Sequence, residues 1–323
     1  MTALGCFSII IPTLNEEEHI EKLVRSIHEQ DFRPIEVIVV DDGSKDGTIK
    51  IVTNLAKELD AFNFVVVLLE TQNFGRSRGP AVAKNIGIKK SSGEFIYLAD
   101  ADFLLIQKNF LTKVRRRLLE APVAPFRSRV LVDNSLEMNQ LIDGGNPPYH
   151  GISYAFRRCV FDKVIFDSNL GVGEDTDLVA KLRKQGFVAD GDMLSDVEVA
   201  LHYPHSLAEY GTQKFWHGKN VPSMIKNQKN IRTRINLLAR LAPVVLICII
   251  PVFFFTNILV SMVALSILIA SVLYLFAKSP TKSVNRLAYL FLRMTYGSLW
   301  FAFGFLKGLY DRIRGIYCPG RES

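Results

Sequence analysis

Cysteine is scarce in this sequence of 323 residues, and its four cysteines lie far apart. They are Cys6, Cys159, Cys248 and Cys318, and no two of them form a Cys-x-x-Cys pair. Disulfide scaffolds and cysteine-rich zinc sites both need several closely spaced cysteines. The sequence therefore predicts reduced thiols, no disulfide framework and a reducing compartment.

Acidic residues are almost missing from the last third of the chain. From Lys214 to Ser323 there are fifteen lysine and arginine residues but only two acidic ones, whereas acidic residues are in excess before Lys214. Such a division argues against one uniform globular domain. The basic part is also the most apolar part of the chain, which disfavours a nucleic-acid-binding extension. We therefore expect no nucleic acid polymer as a partner.

Charged residues of either sign are absent between Leu241 and Ala277. One helix of that length would measure about 55 Å, whereas the hydrocarbon core of a bilayer is about 30 Å thick. We therefore predict two transmembrane helices within 236–277, preceded by a basic juxtamembrane linker or interfacial helix at 214–235. A third apolar segment, 283–314, is predicted to span the membrane or lie in its interface. The positive-inside rule then predicts an integral membrane protein that contacts membrane lipids, with residues 1–213 in the cytoplasm.

Apolar strands alternate with helices in the first part of the chain. FSIIIPTL, IEVIVVDD, FVVVLLE and EFIYLADAD are predicted strands, and NEEEHIEKLVRSIHEQ (capped by Asn15), TIKIVTNLAKEL and GPAVAKNIGIKKSSG are predicted helices. This order predicts an α/β fold with a mostly parallel sheet and helices on both faces. Ligands bind beyond the carboxyl ends of such strands, where Pro12–Glu16, Asp41–Ser44 and Asp100–Asp102 lie.

Two aspartates, Asp100 and Asp102, follow the predicted strand EFIYL with one alanine between them. Both carboxylates of an Asp-x-Asp at a strand end can reach one hard cation, and Mg²⁺ or Mn²⁺ binds one or two carboxylates together with phosphate oxygens of a substrate. A surface turn is the commoner reason for such a tripeptide. The motif alone therefore leaves a metal site and a turn as alternatives.

Five motifs in a fixed order distinguish between these alternatives. They are IIIPTLNEEEHI, VIVVDDGSKDGT, NFGRSRGPAVAKNIGIKKSSGEFIYLADAD, GISYAFRRCVFDKVIF and GVGEDTDLVAKLRKQGF. Over about residues 7–190 this series resembles the family 2 inverting glycosyltransferases, which have the GT-A fold. The resemblance implies a nucleotide-diphosphate-sugar donor, Mn²⁺ or Mg²⁺ as cofactor, and a single displacement at the anomeric carbon.

The resemblance also implies a nucleotide site at the carboxyl ends of the first two strands. Pro12, Glu16 and Val40 would surround the base and the ribose. Asp42 would hydrogen-bond the base, with Asp41 beside it.

The metal and catalytic residues implied by the resemblance come from later motifs. Asp100 would contact the ribose or the metal, with Ala101 next to it in the donor site, and Asp102 would bind the metal and the diphosphate. His202 could add a metal ligand, although a hydrogen-bonded surface histidine is an equal alternative. Asp175 of GEDTDL would be the catalytic base, on the side of the sugar opposite to the leaving diphosphate.

Two departures from the family pattern bear on function. Lys84 stands before Asn-x-Gly where arginine is usual, which keeps the positive charge but loses the bidentate fork. QKFWHGKN lacks the Arg-Trp pair of processive synthases, which disfavours a processive polysaccharide synthase without excluding it. We expect a lipid-linked or membrane-proximal acceptor because of the apolar tail. A transferase-like membrane scaffold without catalysis remains the other alternative.

Overall fold

The structure is a computed structural model of the chain, which divides into two units. Of the described residues, 3–130 and 149–201 belong to the first unit and 207–313 to the second. The structure describes residues 3–59, 63–68, 79–130, 149–168, 170, 173–188, 194–201, 207–227, 258–278 and 293–313, with isolated positions between 235 and 246 and between 287 and 291.

Four parallel strands form one half of the sheet in the first unit. They are β1 (Ala3–Thr13), β2 (Ile35–Asp41), β3 (Asn63–Leu68) and β4 (Gly93–Leu98), in the spatial order β3-β2-β1-β4. Every residue of β2 is buried, as expected for a strand covered on both faces. The prediction of a mostly parallel sheet is confirmed, and all four predicted strands are present.

The other half of the sheet contains antiparallel pairs. Its strands are β5 (Phe103–Leu104), β6 (Val123–Val130), β7 (Tyr149–Arg157) and β8 (Leu194–Leu201). β7 pairs antiparallel with β4 and with β6, β8 pairs parallel with β6, and β5 pairs antiparallel with β8. The full order is β3-β2-β1-β4-β7-β6-β8-β5. Because β7 lies next to β4, its side chains reach the pocket beyond the end of β4.

Helices cover both faces of this sheet. They are α1 (Ile20–His28), α2 (Thr48–Glu58), α3 (Pro80–Lys90), α4 (Phe110–Glu120) and α5 (Glu174–Lys184), and a 3₁₀ helix (Arg158–Asp162) follows β7. Successive residues of a strand face opposite sides of a sheet. Accordingly, Ile96 joins a core cluster with residues of α3 and α5, whereas Tyr97 packs on Phe110 of α4, with ring centroids 5.3 Å apart.

Helix α1 starts later than its sequence predicts. The predicted buried face of Ile20, Leu23, Val24 and Ile27 is present, but the helix begins at Ile20 and not after Asn15. Asn15 has a positive φ of 57° and is hydrogen-bonded to a neighbouring loop. The predicted cap is therefore wrong, because a tertiary hydrogen bond uses this side chain.

Helix α3 lies unusually close to β1. A β-carbon at Gly87 would come within 2.2 Å of Ile10 Cγ2. Only glycine therefore allows this approach, and it brings the face of α3 that carries Lys84 down onto the sheet.

The arginine pair at the end of β7, with Arg157 in the strand and Arg158 after it, supports the fold. The Arg158 guanidinium donates to the carbonyl oxygen of Gly93 at 2.7 Å and to Ser91 Oγ at 2.8 Å. Arg157 forms an ion pair with Glu94 at 3.1 Å. These contacts tie the segment after β7 to the start of β4, at the end of the strand remote from Asp100.

The second unit is helical in its described part. It contains α6 (Leu207–Asn227), α7 (Ile258–Lys278), a π-helical turn (Arg293–Gly297) and α8 (Ser298–Ile313). The predicted boundary at 213 and 214 falls inside α6.

Helices α6 and α8 touch backbone to backbone. A β-carbon at Gly218 would lie 1.9 Å from the carbonyl oxygen of Phe301, and one at Gly304 would lie 1.9 Å from that of Phe215. These distances leave no room for any side chain. We call this contact the glycine seam.

No helix in the described part of the chain is both long enough and apolar enough to cross a membrane. For the residues that the structure describes, the prediction of an integral membrane protein with C-terminal transmembrane helices is therefore wrong. The cytoplasmic placement of residues 1–213 depended on those helices and is withdrawn with them. Residues 247–257, in the middle of the predicted pair, lie outside the described residues.

Candidate functional site

The carboxyl ends of β1, β2 and β4 lie side by side at one edge of the sheet. Thr13 pairs with Asp41 across β1 and β2, and Ile10 pairs with Leu98 across β1 and β4. The three loops that follow these strands therefore start from neighbouring positions.

The loops after β1 and β2 are joined by hydrogen bonds. The Asn15 amide N–H donates to Ser44 Oγ, and Asn15 Oδ1 accepts from the Lys45 amide, both at 2.8 Å. The Glu16 amide donates to Thr48 Oγ1 at 2.8 Å. The motifs NEEE and DDGSKDGT therefore fix each other's main chain, and with it the position of Glu16.

The two aspartates at the end of β2 have different partners. Asp41 accepts hydrogen bonds from the amides of Gly43 and Ser44, both at 3.0 Å, and so stabilises its own turn. Asp42 is buried, and its Oδ2 accepts a hydrogen bond from the Gly79 amide at 2.7 Å, immediately before α3. Asp42 therefore ties the end of β2 to the start of α3.

Three acidic side chains lie close enough to perturb one another. Loss of contact with water, and then the charges of Asp102 and Asp100, raise the pKa of Glu16 to about 8. Burial, and then the charge of Asp100, raise the pKa of Asp102 to about 7. Desolvation also raises the pKa of Asp100, although Lys84 opposes it. This edge of the sheet therefore concentrates negative charge that the surrounding protein does not fully neutralise.

A buried lysine on α3 connects this edge with the start of α5. Lys84 Nζ lies 2.8 Å from Asp175 Oδ1, 3.1 Å from Glu174 Oε1 and 3.9 Å from Asp100 Oδ1. Burial alone would lower the pKa of Lys84, but the three carboxylates raise it above its ordinary value. Lys84 is therefore a permanent cation between Asp100 and the two acids of α5.

The two acids of α5 differ in their exposure. The Glu174 side chain is 8% exposed, whereas that of Asp175 is 65% exposed. Burial raises the pKa of Glu174, Lys84 opposes this shift, and the charge of Asp175 adds to it. Glu174 is therefore an internal partner of Lys84, and Asp175 presents its carboxylate to incoming molecules.

One pocket is lined by both Asp100 and Asp175. Its charged lining consists of these two side chains and Lys84, and its apolar walls include Phe103, Tyr154 and Phe166. Both carboxylates contact the Lys84 ammonium, at 3.9 Å from Asp100 and 2.8 Å from Asp175. The lining thus combines two carboxylates, a cation and aromatic rings, which are groups that can bind a sugar.

The sequence of this unit matches a known family. Residues 8–158, which contain the strand ends described above, match the family model for glycosyl transferase family 2. The sequence of these residues is therefore similar to the family 2 glycosyltransferases. The prediction of a glycosyltransferase is thereby confirmed, and α5 with Asp175 follows the matched residues.

Two proteins with named activities are similar to part of this chain. One is the GalNAc(5)-diNAcBac-PP-undecaprenol beta-1,3-glucosyltransferase of Campylobacter jejuni, 41% identical over 99 residues, which are 30% of this chain and 30% of the relative. The other is the dolichyl N-acetyl-alpha-D-glucosaminyl phosphate 3-beta-D-2,3-diacetamido-2,3-dideoxy-beta-D-glucuronosyltransferase of Methanococcus voltae, 26% identical over 212 residues, which are 57% of this chain and 63% of the relative. The similarity thus spans less than two thirds of either relative.

One solved structure resembles the fold over most of its length. It is the mannosyltransferase PcManGT of Pyrobaculum calidifontis in complex with GDP-Man and Mn²⁺, with a TM-score of 0.55 and 20% identity. The match covers 95% of this chain and 87% of that one. The prediction of a GT-A-like α/β fold is confirmed.

The remaining residues that were predicted to belong to the site differ in how deeply they are buried. Pro12 is half-buried at the end of β1. Val40 is fully buried in the core cluster, and Ala101 is buried between the two aspartates. His202 lies outside the described residues, so its predicted role as a metal ligand stays a prediction.

Sequence reasoning noted Lys84 but missed its partners. Within AVAKNIGI, Ala81 and Gly87 are buried on either side of Lys84 along the helix. A lysine on a buried helix face needs a carboxylate partner, and this signal was available in the sequence. Tyr154 was missed as well, because only the pairing of β7 with β4 brings it to the pocket.

Proposed function

We propose that the chain is a metal-dependent inverting glycosyltransferase that moves a sugar from a nucleotide-diphosphate-sugar donor to a lipid-linked acceptor. The observation that carries the proposal is the presence of Asp100, which precedes Asp102 by two residues, and of Asp175 in the lining of one pocket, in a chain whose residues 8–158 are similar to family 2 glycosyltransferases. Asp100 and Asp102 would serve the leaving diphosphate, and Asp175 would serve as the proton acceptor.

The acidic side chains that follow β1 and β4 are suited to a hard divalent cation. Glu16, Asp100 and Asp102 disfavour one another's ionised forms, and a cation would relieve that repulsion. Within the described residues no three or more acidic, histidine or cysteine side chains are arranged to hold a metal, so Asp100 and Asp102 would share the ion with donor phosphates. Mg²⁺ and Mn²⁺ are commonly held in this way. When bound, the ion supplies positive charge for the leaving diphosphate.

The nucleotide would lie over the ends of β1 and β2. Pro12 and Glu16 would border this space from the end of β1 and the loop after it, and Asp41 and Asp42 would border it from the end of β2. Val40 would contribute main-chain groups, because its side chain is buried in the core. Asp42 accepts a hydrogen bond from the Gly79 amide through Oδ2, and its carboxylate would also hydrogen-bond the base.

Asp175 is the proposed catalytic base. Its exposed carboxylate would take the proton of the acceptor hydroxyl while the hydroxyl oxygen attacks the anomeric carbon and the bond from that carbon to the diphosphate breaks. One displacement of this kind inverts the anomeric configuration. Glu174 is unsuited to the role, because its side chain is buried against Lys84.

The proposed acceptor is a sugar or phosphate carried on a polyprenyl lipid. This part of the proposal is supported by the two relatives, whose names contain an undecaprenol-linked and a dolichyl-linked acceptor. The aromatic walls of the pocket suit the apolar face of a sugar ring.

A donor and acceptor screen tests this function. The full chain is incubated with radiolabelled UDP-glucose, UDP-N-acetylglucosamine and GDP-mannose, with Mn²⁺ or EDTA, and with or without polyprenyl-phosphate acceptors. We expect labelled lipid, or slow donor hydrolysis without acceptor, only in the presence of Mn²⁺. A chain that binds no donor and hydrolyses none would instead be a scaffold, and repeated addition to one acceptor would indicate a processive synthase.

A further inference from the structure

The burial of the Lys84 ammonium group calls for a physical explanation. Its side chain is 4% exposed, and burying an ammonium group without partners costs several kcal/mol. Of its three acidic neighbours, Glu174 is the buried one, and Glu174 alone would suffice as a neutralising partner. Yet the shortest contact of Lys84, at 2.8 Å, is made to the exposed Asp175.

The position of the Lys84 ammonium is fixed from several sides. It donates to Glu174 at 3.1 Å and lies 5.3 Å from the centre of the Phe166 ring. One turn further along α3, Gly87 sets the helix directly against Ile10 of β1. The ammonium is therefore a rigid point, anchored independently of Asp175.

Asp175 has much less support of its own. Its side chain is 65% exposed in the first turn of α5. Of the described residues, Lys84 alone donates a hydrogen bond to its carboxylate. An exposed carboxylate without that bond would sample several rotamers in water.

We infer that Lys84 is a positioning residue, which holds the Asp175 carboxylate in the orientation needed to receive the proton of the acceptor. The inference rests on the proposed function, in which Asp175 is the base. Lys84 acts through Asp175 and need not touch the substrate. A misplacement of about 1 Å at a reacting group can cost about 10²-fold in rate, so the loss of this hydrogen bond has a measurable effect.

A double-mutant cycle distinguishes this role from simple support of the fold. The variants are Lys84→Met, Asp175→Asn and the double variant, assayed as full chains with Mn²⁺ and the radiolabelled donor that wild type uses. We expect Lys84→Met to lower kcat by about 10- to 100-fold with little change in the KM for the donor. In the Asp175→Asn background the same substitution should change the rate by less than about 3-fold, because its effect passes through the missing base.

Two controls accompany the cycle. Lys181→Met removes another lysine that pairs with an acid of α5, Asp177 at 2.7 Å, outside the pocket, and should leave kcat unchanged. Thermal unfolding shows whether each variant is folded. If Lys84→Met does not fold, Lys84→Gln, which is one bond shorter and uncharged but keeps a hydrogen-bond donor, replaces it in the cycle.

The result that overturns the inference is a Lys84 substitution that slows Asp175→Asn as much as it slows wild type. Crystal structures of wild type and Lys84→Met decide the same point without any turnover: an Asp175 carboxylate that keeps its orientation without Lys84 also overturns it. An absence of donor binding and hydrolysis in wild type would instead refute the proposed function, so the two failures are distinguishable.

Discussion

Replacing Asp175 with asparagine preserves the shape of the side chain and removes its ability to accept a proton. The amide oxygen can still accept the hydrogen bond from Lys84 that now measures 2.8 Å. Metal and donor binding should therefore be close to normal. The perturbation is confined to the proton transfer, which makes this substitution the sharpest test of the proposed base.

The expected rate loss follows from the role of a general base. A positioned base contributes about 10²- to 10⁴-fold, which corresponds to about 2.7–5.4 kcal/mol of transition-state stabilisation at about 1.36 kcal/mol per factor of ten. The stability of the fold should change little, because the Asp175 side chain is 65% exposed and exposed ion pairs contribute about 0–1 kcal/mol.

Glu174→Gln provides the matched control. The Glu174 carboxylate is 8% exposed and pairs with a buried lysine. Removing one partner of a buried pair costs about 3–5 kcal/mol, and here somewhat less, because Lys84 keeps Asp175 and Asp100. We therefore expect the opposite profile, with a larger loss of stability and a smaller loss of kcat than in Asp175→Asn.

Single-turnover kinetics and denaturant unfolding of the two variants measure both quantities. The anomeric configuration of the product, read by NMR, should be inverted in wild type. Turnover near the wild-type rate in Asp175→Asn would refute the assignment, and so would a sugar covalently trapped on any side chain.

The remaining predictions concern the acidic strand end. Asp102→Asn should abolish transfer and weaken Mn²⁺-dependent binding of UDP in calorimetry, because an amide cannot replace the carboxylate at the cation. EDTA should inhibit wild type and added Mn²⁺ or Mg²⁺ should restore it, and full activity in EDTA would contradict the metal site. Since its surroundings raise the pKa of Glu16 from 4.5 to about 8, the metal-free folded protein binds a proton that the unfolded chain releases, and its stability should fall as the pH rises between those values. Glu16→Gln should flatten that fall in urea unfolding at about pH 5 and pH 8, and an unchanged slope would show that Glu16 does not titrate in this range.

The parts of the fold that the sequence predicts best are those with local signals. Apolar runs such as IEVIVVD predict β2 because a strand buried on both faces needs side chains of that kind. The antiparallel pairing of β7 with β4 has no such signal, because it depends on how distant segments meet. At the start of α1, a tertiary contact overrides a local preference. Asn15 is a residue type that often caps helices, but its side chain instead accepts a hydrogen bond from the loop after β2.

The residues of the candidate site show the same difference between features with a local signal in the sequence and features that depend on how distant segments pack. Asp100, Asp102 and Asp175 could be predicted as site residues, because the motifs in which they stand resemble those of family 2 glycosyltransferases. The contact between Lys84 and Asp175 joins residues 91 positions apart, and only the packing of α3 and α5 creates it. The prediction of spanning helices failed for a different reason: it rested on the absence of charged residues in the tail, and no helix among the described residues is both long enough and apolar enough to cross a membrane.

The glycine seam between α6 and α8 has a consequence for any survey of tolerated substitutions. A methyl group at Gly218 or Gly304 would meet a main-chain carbonyl oxygen at 1.9 Å, and main chain cannot move aside as a flexible side chain does. In a saturation-mutagenesis screen scored by activity, both positions should therefore be as intolerant as the acidic residues at the sheet edge. Their intolerance would be steric and would extend even to alanine, whereas an acidic position that only needs charge should accept the other acid in part. A map of sensitive positions would thus contain two classes, separable by the pattern of accepted residues at each position.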